Sequence, residues 1–154
     1  MDFNQISKRI SQAAIRVHRE LGPGLAASLY RSCMVIELTS MGVTARPGLL
    51  LPVYYRGQRV SGEAFRMDLL VEDKVIVEVN AVESLQDAHT RPLLNYLRLA
   101  KKPLGVLVNF NETVTIKVFP GVSMLKTSQG LSYPENLSNP MAELEESKLL
   151  PRTL

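Results

Sequence analysis

Between Arg66 and Asn80 the chain reads Arg66-Met67-Asp68-Leu69-Leu70-Val71-Glu72-Asp73-Lys74-Val75-Ile76-Val77-Glu78-Val79-Asn80, two strand-forming runs around a charged turn. If Glu72, Asp73 and Lys74 form the loop, Val71 pairs with Val75, Asp68 falls opposite Glu78, and Arg66 falls opposite Asn80. One face then collects Met67, Leu69, Val71, Val75, Val77 and Val79, all apolar, and the other collects Arg66, Asp68, Leu70, Ile76, Glu78 and Asn80. A shorter loop would send Asp68 and Glu78 to opposite faces and mix the apolar set, so the patterning selects this register.

Two carboxylates opposed across a strand pair have Cβ atoms ~5 Å apart and repel, so something must compensate them. A divalent cation is one answer: Mg²⁺ or Mn²⁺ held by Asp68 and Glu78 would suit phosphodiester hydrolysis, because such ions take one or two carboxylates plus water and phosphate oxygens. The other answer is a basic side chain, Arg66 or another, bridging the pair into a salt-bridge cluster. The hairpin alone leaves both readings open.

The elements that must position this hairpin follow from periodicity. Residues 4–21 form an amphipathic helix with Ile6, Ile10, Ala13, Ala14, Val17 and Leu21 on one stripe, stopped by Gly22-Pro23-Gly24. A second helix is expected over about 25–41, with Leu29, Cys33, Ile36 and Leu38 toward the core and Gly42 closing it. Strand formers then concentrate in 49–55, 64–71, 75–81, 104–110 and 114–119, with a turn at Gly57 and a helix over 87–100 carrying Leu93, Leu94, Leu97 and Ala100. The order α-α-β-β-β-α-β-β implies an α/β fold with a mixed sheet flanked by helices. Past Pro120, prolines at 120, 134, 140 and 151 break the pattern, so 1–119 reads as one domain and 120–154 as a partly flexible extension. A short helix at 141–150, presenting Leu144, Leu149 and Leu150, would be its contact segment for a protein partner.

Several blocks in collinear order resemble the bacterial GxxExxY proteins of the PD-(D/E)XK nuclease superfamily. They are Ala14-Ile15-Arg16-Val17-His18-Arg19-Glu20-Leu21-Gly22-Pro23-Gly24-Leu25 with Tyr30, Leu51-Pro52-Val53-Tyr54-Tyr55-Arg56-Gly57, Asp68-Leu69-Leu70-Val71-Glu72, Val75-Ile76-Val77-Glu78, Ala81-Val82-Glu83, Leu93-Leu94-Asn95-Tyr96-Leu97-Arg98 and Val108-Asn109-Phe110-Asn111. The resemblance covers about 5–119 and implies a restriction-endonuclease-like fold with metal-dependent phosphodiesterase ancestry. It places the site at Asp68, Glu78 and Asn80, with Tyr30 and His89 near substrate.

The chain departs from that pattern where the chemistry would be. The family's Gly-x-x-Glu-x-x-Tyr is Gly24-Leu25-Ala26-Ala27-Ser28-Leu29-Tyr30 here, and its Glu-x-Lys is Glu78-Val79-Asn80. Its His-Glu-x-Gln becomes His89-Thr90-Arg91-Pro92. Losing one preorganised stabiliser of transition-state charge costs about 10²–10³ in rate, so these losses together imply an impaired nuclease. Arg66, opposite Asn80, is the candidate replacement cation, able to bind phosphate but not to act as a base. The implied function is nucleic-acid binding or an assembly role, with a Mg- or Mn-dependent nuclease of DNA or RNA and a protein-interaction module as the rivals; an impaired site would need no cofactor.

Outside the hairpin, Tyr30 also reads as a core-edge tyrosine with a bonded hydroxyl, and His89 as a helix-start surface histidine. His18 reads as solvated or capping, and Cys33 as a small buried hydrophobe. Arg91 is a substrate-side candidate, and with Arg56, Arg59, Arg98, Lys101 and Lys102 it is available to phosphates, although spacing does not show that these share a face.

The whole chain of 154 residues, 45% hydrophobic and 21% charged with a formal net charge of +3, has the composition of a globular protein. That argues against collagen-like, coiled-coil and wholly disordered readings. The charge permits a polyanion partner without demanding one. A single cysteine excludes an internal disulfide and a multi-thiolate zinc site. No apolar run approaches ~18 residues, and Met1-Asp2-Phe3-Asn4 leads into a charged stretch, so a cytoplasmic protein without membrane contact is expected. A homodimer is expected by analogy alone.

Overall fold

The computed structural model describes residues 1–60 and 66–121. Helix α1 spans Phe3–Leu21 and α2 Ala27–Ser40; strands β1 (Ala45–Pro47), β2 (Val53–Tyr55), β3 (Gln58–Val60), β4 (Leu69–Val71) and β5 (Val75–Asn80) precede α3 (Asp87–Ala100), β6 (Leu104–Phe110) and β7 (Val114–Pro120). The fold is a mixed α/β one: a five-stranded sheet of order β1-β4-β5-β6-β7 flanked by helices, with β2-β3 as a separate two-stranded ribbon. The β5–β6 pair is parallel, as the α3 crossover requires, and the other pairs in the sheet are antiparallel. Of the expected extension 120–154, Pro120 instead ends β7, and residues 122–154, including the helix at 141–150, lie outside the described residues, as do residues 64 and 65 of the expected strand 64–71.

Local sequence explains most boundaries. Asp2 and Gln5 exchange side-chain-to-backbone bonds of 2.8 Å each, starting α1 with a capping box, and Gly22 stops it by donating to the His18 carbonyl with φ of 71°. The α1 stripe is as the spacing predicts, except that Leu21 is partly exposed. In α2 the buried residues are Tyr30, Met34 and Leu38, while Leu29 and Ile36 point outward. The real stripe runs at four-residue steps from Tyr30, and the apolar residues on its flank misled the sequence phase. Helix α3 passes through Pro92, whose missing N–H removes the bond to the Ala88 carbonyl.

Alternation along β6 shows how the layers stack. A Cβ built on Gly105 would lie 2.8 Å from Leu93 and Leu97 of α3, so Gly105 faces that helix. Phe110, of opposite parity, stacks on Tyr30 of α2 with centroids 4.2 Å apart, and His18 of α1 also stacks with it, centroids 6.4 Å apart. The sheet is therefore sandwiched between α3 and the α1–α2 pair. The parallel register sets Ile76 beside Gly105, Glu78 beside Leu107 and Asn80 beside Asn109. Glu78 and Asn80 consequently share the α3 side of the sheet.

Two strand expectations are corrected. Residues 49–55 are not one strand of the sheet: residues 48–50 extend the β1–β4 pairing, and only Val53–Tyr55 is a strand, in the outlying ribbon. One edge of the sheet is instead β1, whose short Ala45-Arg46-Pro47 run lacks the β-branched signature and carries a proline tolerated only at such an edge.

Candidate functional site

The β4–β5 hairpin has the register that alternation selects: Leu69 pairs with Val77, Leu70 with Ile76 and Val71 with Val75. Glu72 and Asp73 both take positive φ in the turn, a conformation non-glycine residues adopt with difficulty. Neighbours hold it there. The Thr44 N–H donates to the Glu72 carboxylate at 2.8 Å, Arg46 pairs with the Asp73 carboxylate, and Lys102 Nζ donates to the Asp73 carbonyl at 2.9 Å.

Continuing that register by one residue brings Asp68 opposite Glu78, and the two are bonded crosswise through backbone. The Asp68 N–H donates to Glu78 Oε1 at 3.2 Å, and the Val79 N–H donates to Asp68 Oδ2 at 2.9 Å. The second Asp68 oxygen, Oδ1, accepts from Arg31 Nη1 at 2.8 Å. Both oxygens of Asp68 are thus engaged, one by a cation and one by the backbone. Burial, and after it the Asp68 carboxylate, push the Glu78 carboxyl up to about 8, which keeps it protonated at neutral pH. Tyr96 on α3 responds to the same pair: its phenol is pushed above its ordinary value by burial, then by Glu78, then by Asp68.

The sequence singled out Arg66 as the compensating cation, and the structure places it elsewhere. Arg66 forms an antiparallel bridge with Leu50 and its Nη1 donates to the Gly48 carbonyl at 2.6 Å. The cation on Asp68 is Arg31, immediately after Tyr30 on α2. Nothing in the hairpin's periodicity signals a residue on another element, so only its place at a helix position beside the Gly24–Tyr30 block could have drawn attention to it. Tyr96 lies in the sequence only as part of the helical block 93–98, and it too is brought to the pair by tertiary packing.

The remaining candidates have structural partners. Tyr30 is fully buried; its hydroxyl donates to the Gly22 carbonyl at 2.5 Å and accepts from the Leu25 N–H at 3.3 Å, pinning the turn between α1 and α2. His89 accepts the Gln86 N–H on Nδ1 at 2.9 Å and so caps α3. Arg91 lies on the exposed side of α3, and Asn80 ends β5 half-buried. His18, rather than being solvated, bonds the Asn111 carbonyl through Nε2 at 2.8 Å. Asn109, buried in β6, clasps Val82 with two 2.9 Å bonds, accepting its N–H and donating to its C=O. That clasp fixes the path from β5 to α3.

A divalent cation on the Asp68–Glu78 pair would have to compete with the Arg31 guanidinium already bonded to Asp68. Without a cation, Arg31 balances Asp68 and Glu78 is pushed toward its neutral form, and among the described residues no group of three or more His, Cys, Asp or Glu converges, so water and substrate oxygens would have to complete any coordination. What the arrangement offers chemically is a guanidinium, 37% exposed, with one donor spent on Asp68 and further N–H donors that an anionic oxygen could take.

A mixed sheet flanked by helices, with an Asp on one strand of a hairpin opposite a Glu on the next, defines a nuclease-fold architecture. The chain belongs to the PD-(D/E)XK nuclease superfamily, whose family model matches residues 4–119. Among solved structures, one described as the crystal structure of SSO0001 is similar to it at 15% sequence identity and a TM-score of 0.47, over 75% of this chain and 66% of that one. The chain therefore spans just under two thirds of that protein's length. No curated protein matches the chain.

Proposed function

We propose that this chain is a GxxExxY-type member of its superfamily whose nuclease site is impaired and which acts by binding nucleic acid, alone or as a subunit of a cytoplasmic assembly. The observation that carries this reading is the Arg31–Asp68 pair at 2.8 Å, a protein cation standing on the carboxylate where a hydrolytic metal would be bound. Asn80 in place of lysine and Ala27 in place of glutamate, departures from the family pattern, point the same way. The remaining donors of Arg31 give the site a phosphate-binding role in place of a hydrolytic one.

The test has two arms on the full chain. Fluorescence anisotropy with labelled duplex DNA, single-stranded DNA and RNA should show binding to at least one form, weakening steeply between 50 and 200 mM salt. Calorimetry with Mn²⁺ should show no binding at millimolar metal. Absence of binding to every nucleic-acid form would sink the reading. Mn²⁺ binding that vanishes in Asp68→Ala would instead support the active nuclease.

A further inference from the structure

The β2–β3 ribbon stands apart from the sheet, and its origin is specific. Gly48 donates to the Asp68 carbonyl at 3.0 Å, Met67 donates to the Leu49 carbonyl at 2.8 Å, and Leu50 bridges Arg66. The chain thus leaves the sheet at Leu50 and rejoins it at Arg66, two residues from Asp68. The ribbon is an outgrowth of the strand pair that carries the site carboxylate. Leu51 and Val53 tuck its base against the core. From Pro52 to its tip at Arg56 it reaches about 13 Å at an extended rise of ~3.3 Å per residue.

Its surface is unusual in chemistry. Tyr54 and Tyr55, on opposite faces, are 63% and 65% exposed. Arg59 is the cross-strand partner of Tyr54, and the Arg56 guanidinium lies 5.6 Å from the centroid of the Tyr55 ring. Each face therefore presents an open aromatic ring with an arginine beside it. Between Leu51 and Val60 the sequence has Arg56 and Arg59 and no acidic residue, so the projection is complementary to a polyanion. The tip is shaped for projection: Arg56 and Gly57 have φ of 50° and 76°, the tight two-residue hairpin turn that keeps the strands paired to their end.

Exposed aromatic faces alternating with arginines match single-stranded nucleic acid better than duplex, because an unpaired strand offers base faces for stacking while its phosphates meet the cations. We propose that the β2–β3 ribbon is an arm that holds single-stranded nucleic acid beside the site, with Tyr54 and Tyr55 stacking on bases and Arg56 and Arg59 contacting phosphates. The inference rests on the nucleic-acid reading above and assigns it a strand type and a surface.

The experiment is anisotropy titration of the full chain with fluorescein-labelled dT20, U20 and a 20-base-pair duplex over a range of salt. Tyr54→Ala/Tyr55→Ala should weaken binding to dT20 or U20 at least about tenfold, given the usual contribution of one stacked base. Arg56→Gln/Arg59→Gln should lower the slope of log affinity against log salt by about 1.4, the counterions of two single-strand phosphate contacts. All four side chains are exposed, and unchanged circular dichroism and melting temperature show that the variants remain folded. Wild-type binding to a strand that neither double variant alters overturns the arm and leaves the nucleic-acid reading standing. Preference for the duplex overturns the stacking assignment. No binding to any of the three probes overturns both, and self-association lost in the tyrosine variant would assign the ribbon to protein contact instead.

Discussion

Arg31 of α2 donates to Asp68 at the mouth of the β4–β5 hairpin across 2.8 Å, and that contact decides the character of the site. Asp68 and Glu78 would otherwise be two acids facing each other in a mostly buried setting, each accepting a single backbone N–H, from Val79 and Asp68 respectively. With Arg31 on one and a proton on the other, the cluster is electrically settled without an added cation.

Removing Arg31 should expose that dependence. Arg31→Ala leaves Asp68 beside Glu78 with no cation, and stability at pH 7 should fall by about 1–2 kcal/mol, moderated because the arginine is partly exposed. In a chain of this size that is a drop of roughly 2–8 °C in melting temperature. The double variant Arg31→Ala/Asp68→Asn should recover most of the loss, since no unpaired charge remains. Equal melting of Arg31→Ala and wild type would show that the pair is not coupled.

The pH dependence follows from Glu78. Its folded-state value of about 8 lies above the ordinary 4.5, so between those values the folded chain binds the proton more tightly than the unfolded chain does. The contribution to stability is therefore complete below about pH 4.5 and is lost as pH rises toward 8. Glu78→Gln cannot ionise and should match wild type near pH 4.5, then exceed it by on the order of a few kcal/mol at pH 8. Thermal melts at the two pH values check this, and a constant difference across the range would refute it.

Asn80 shares a face with Glu78 and follows it by two positions, a separation of roughly 7 Å along the strand. Asn80→Lys restores a cation that the family pattern would place there, yet Arg31 would still occupy Asp68. Mn²⁺-dependent nicking of supercoiled plasmid should therefore remain at background in Asn80→Lys. Nicking that appears in this variant and disappears on adding Asp68→Ala would show that the lysine alone was missing.

Asn109 makes a separate, structural prediction. Asn109→Ala strands the N–H and C=O of Val82 together, and should cost about 2–4 kcal/mol. Hydrogen exchange at the Val82 amide should accelerate more than the global loss of stability explains, because the clasp between β6 and the β5–α3 loop is opened locally.

Two glycines should differ in a defined order. At Gly121 an added Cβ would lie 2.1 Å from the Lys102 carbonyl oxygen, a backbone atom, while Gly121 itself donates to the Pro103 carbonyl at 2.7 Å. At Gly105 the obstruction is the movable tips of Leu93 and Leu97. Gly121→Ala should cost about 3 kcal/mol or more and Gly105→Ala about 1–2 kcal/mol, read from denaturant midpoints.

The hairpin and the helices were legible because their signals are local. Alternation along 66–80 selects one loop length, and the register it selects is the one observed, with Asp68 and Glu78 opposed. The α1 stripe and the bounds of α3 are equally local. The edge strand β1 was not legible, because three residues with a proline carry no period, and the ribbon was merged with the sheet because strand formers alone do not say which partner a strand takes.

For the site, the sequence by itself determined the acidic pair and the fact that some compensation was required. It could not determine the compensator. Arg66 was the nearest cation along the chain, but its strand turns it toward Gly48, while Arg31, thirty-seven positions before Asp68, arrives on a helix. Register is set within one hairpin, by the pairing of neighbouring residues. Which cation meets Asp68, and that Tyr96 shares the electrostatics of Glu78, is set by how α2 and α3 pack on the sheet, and only the tertiary structure decides that.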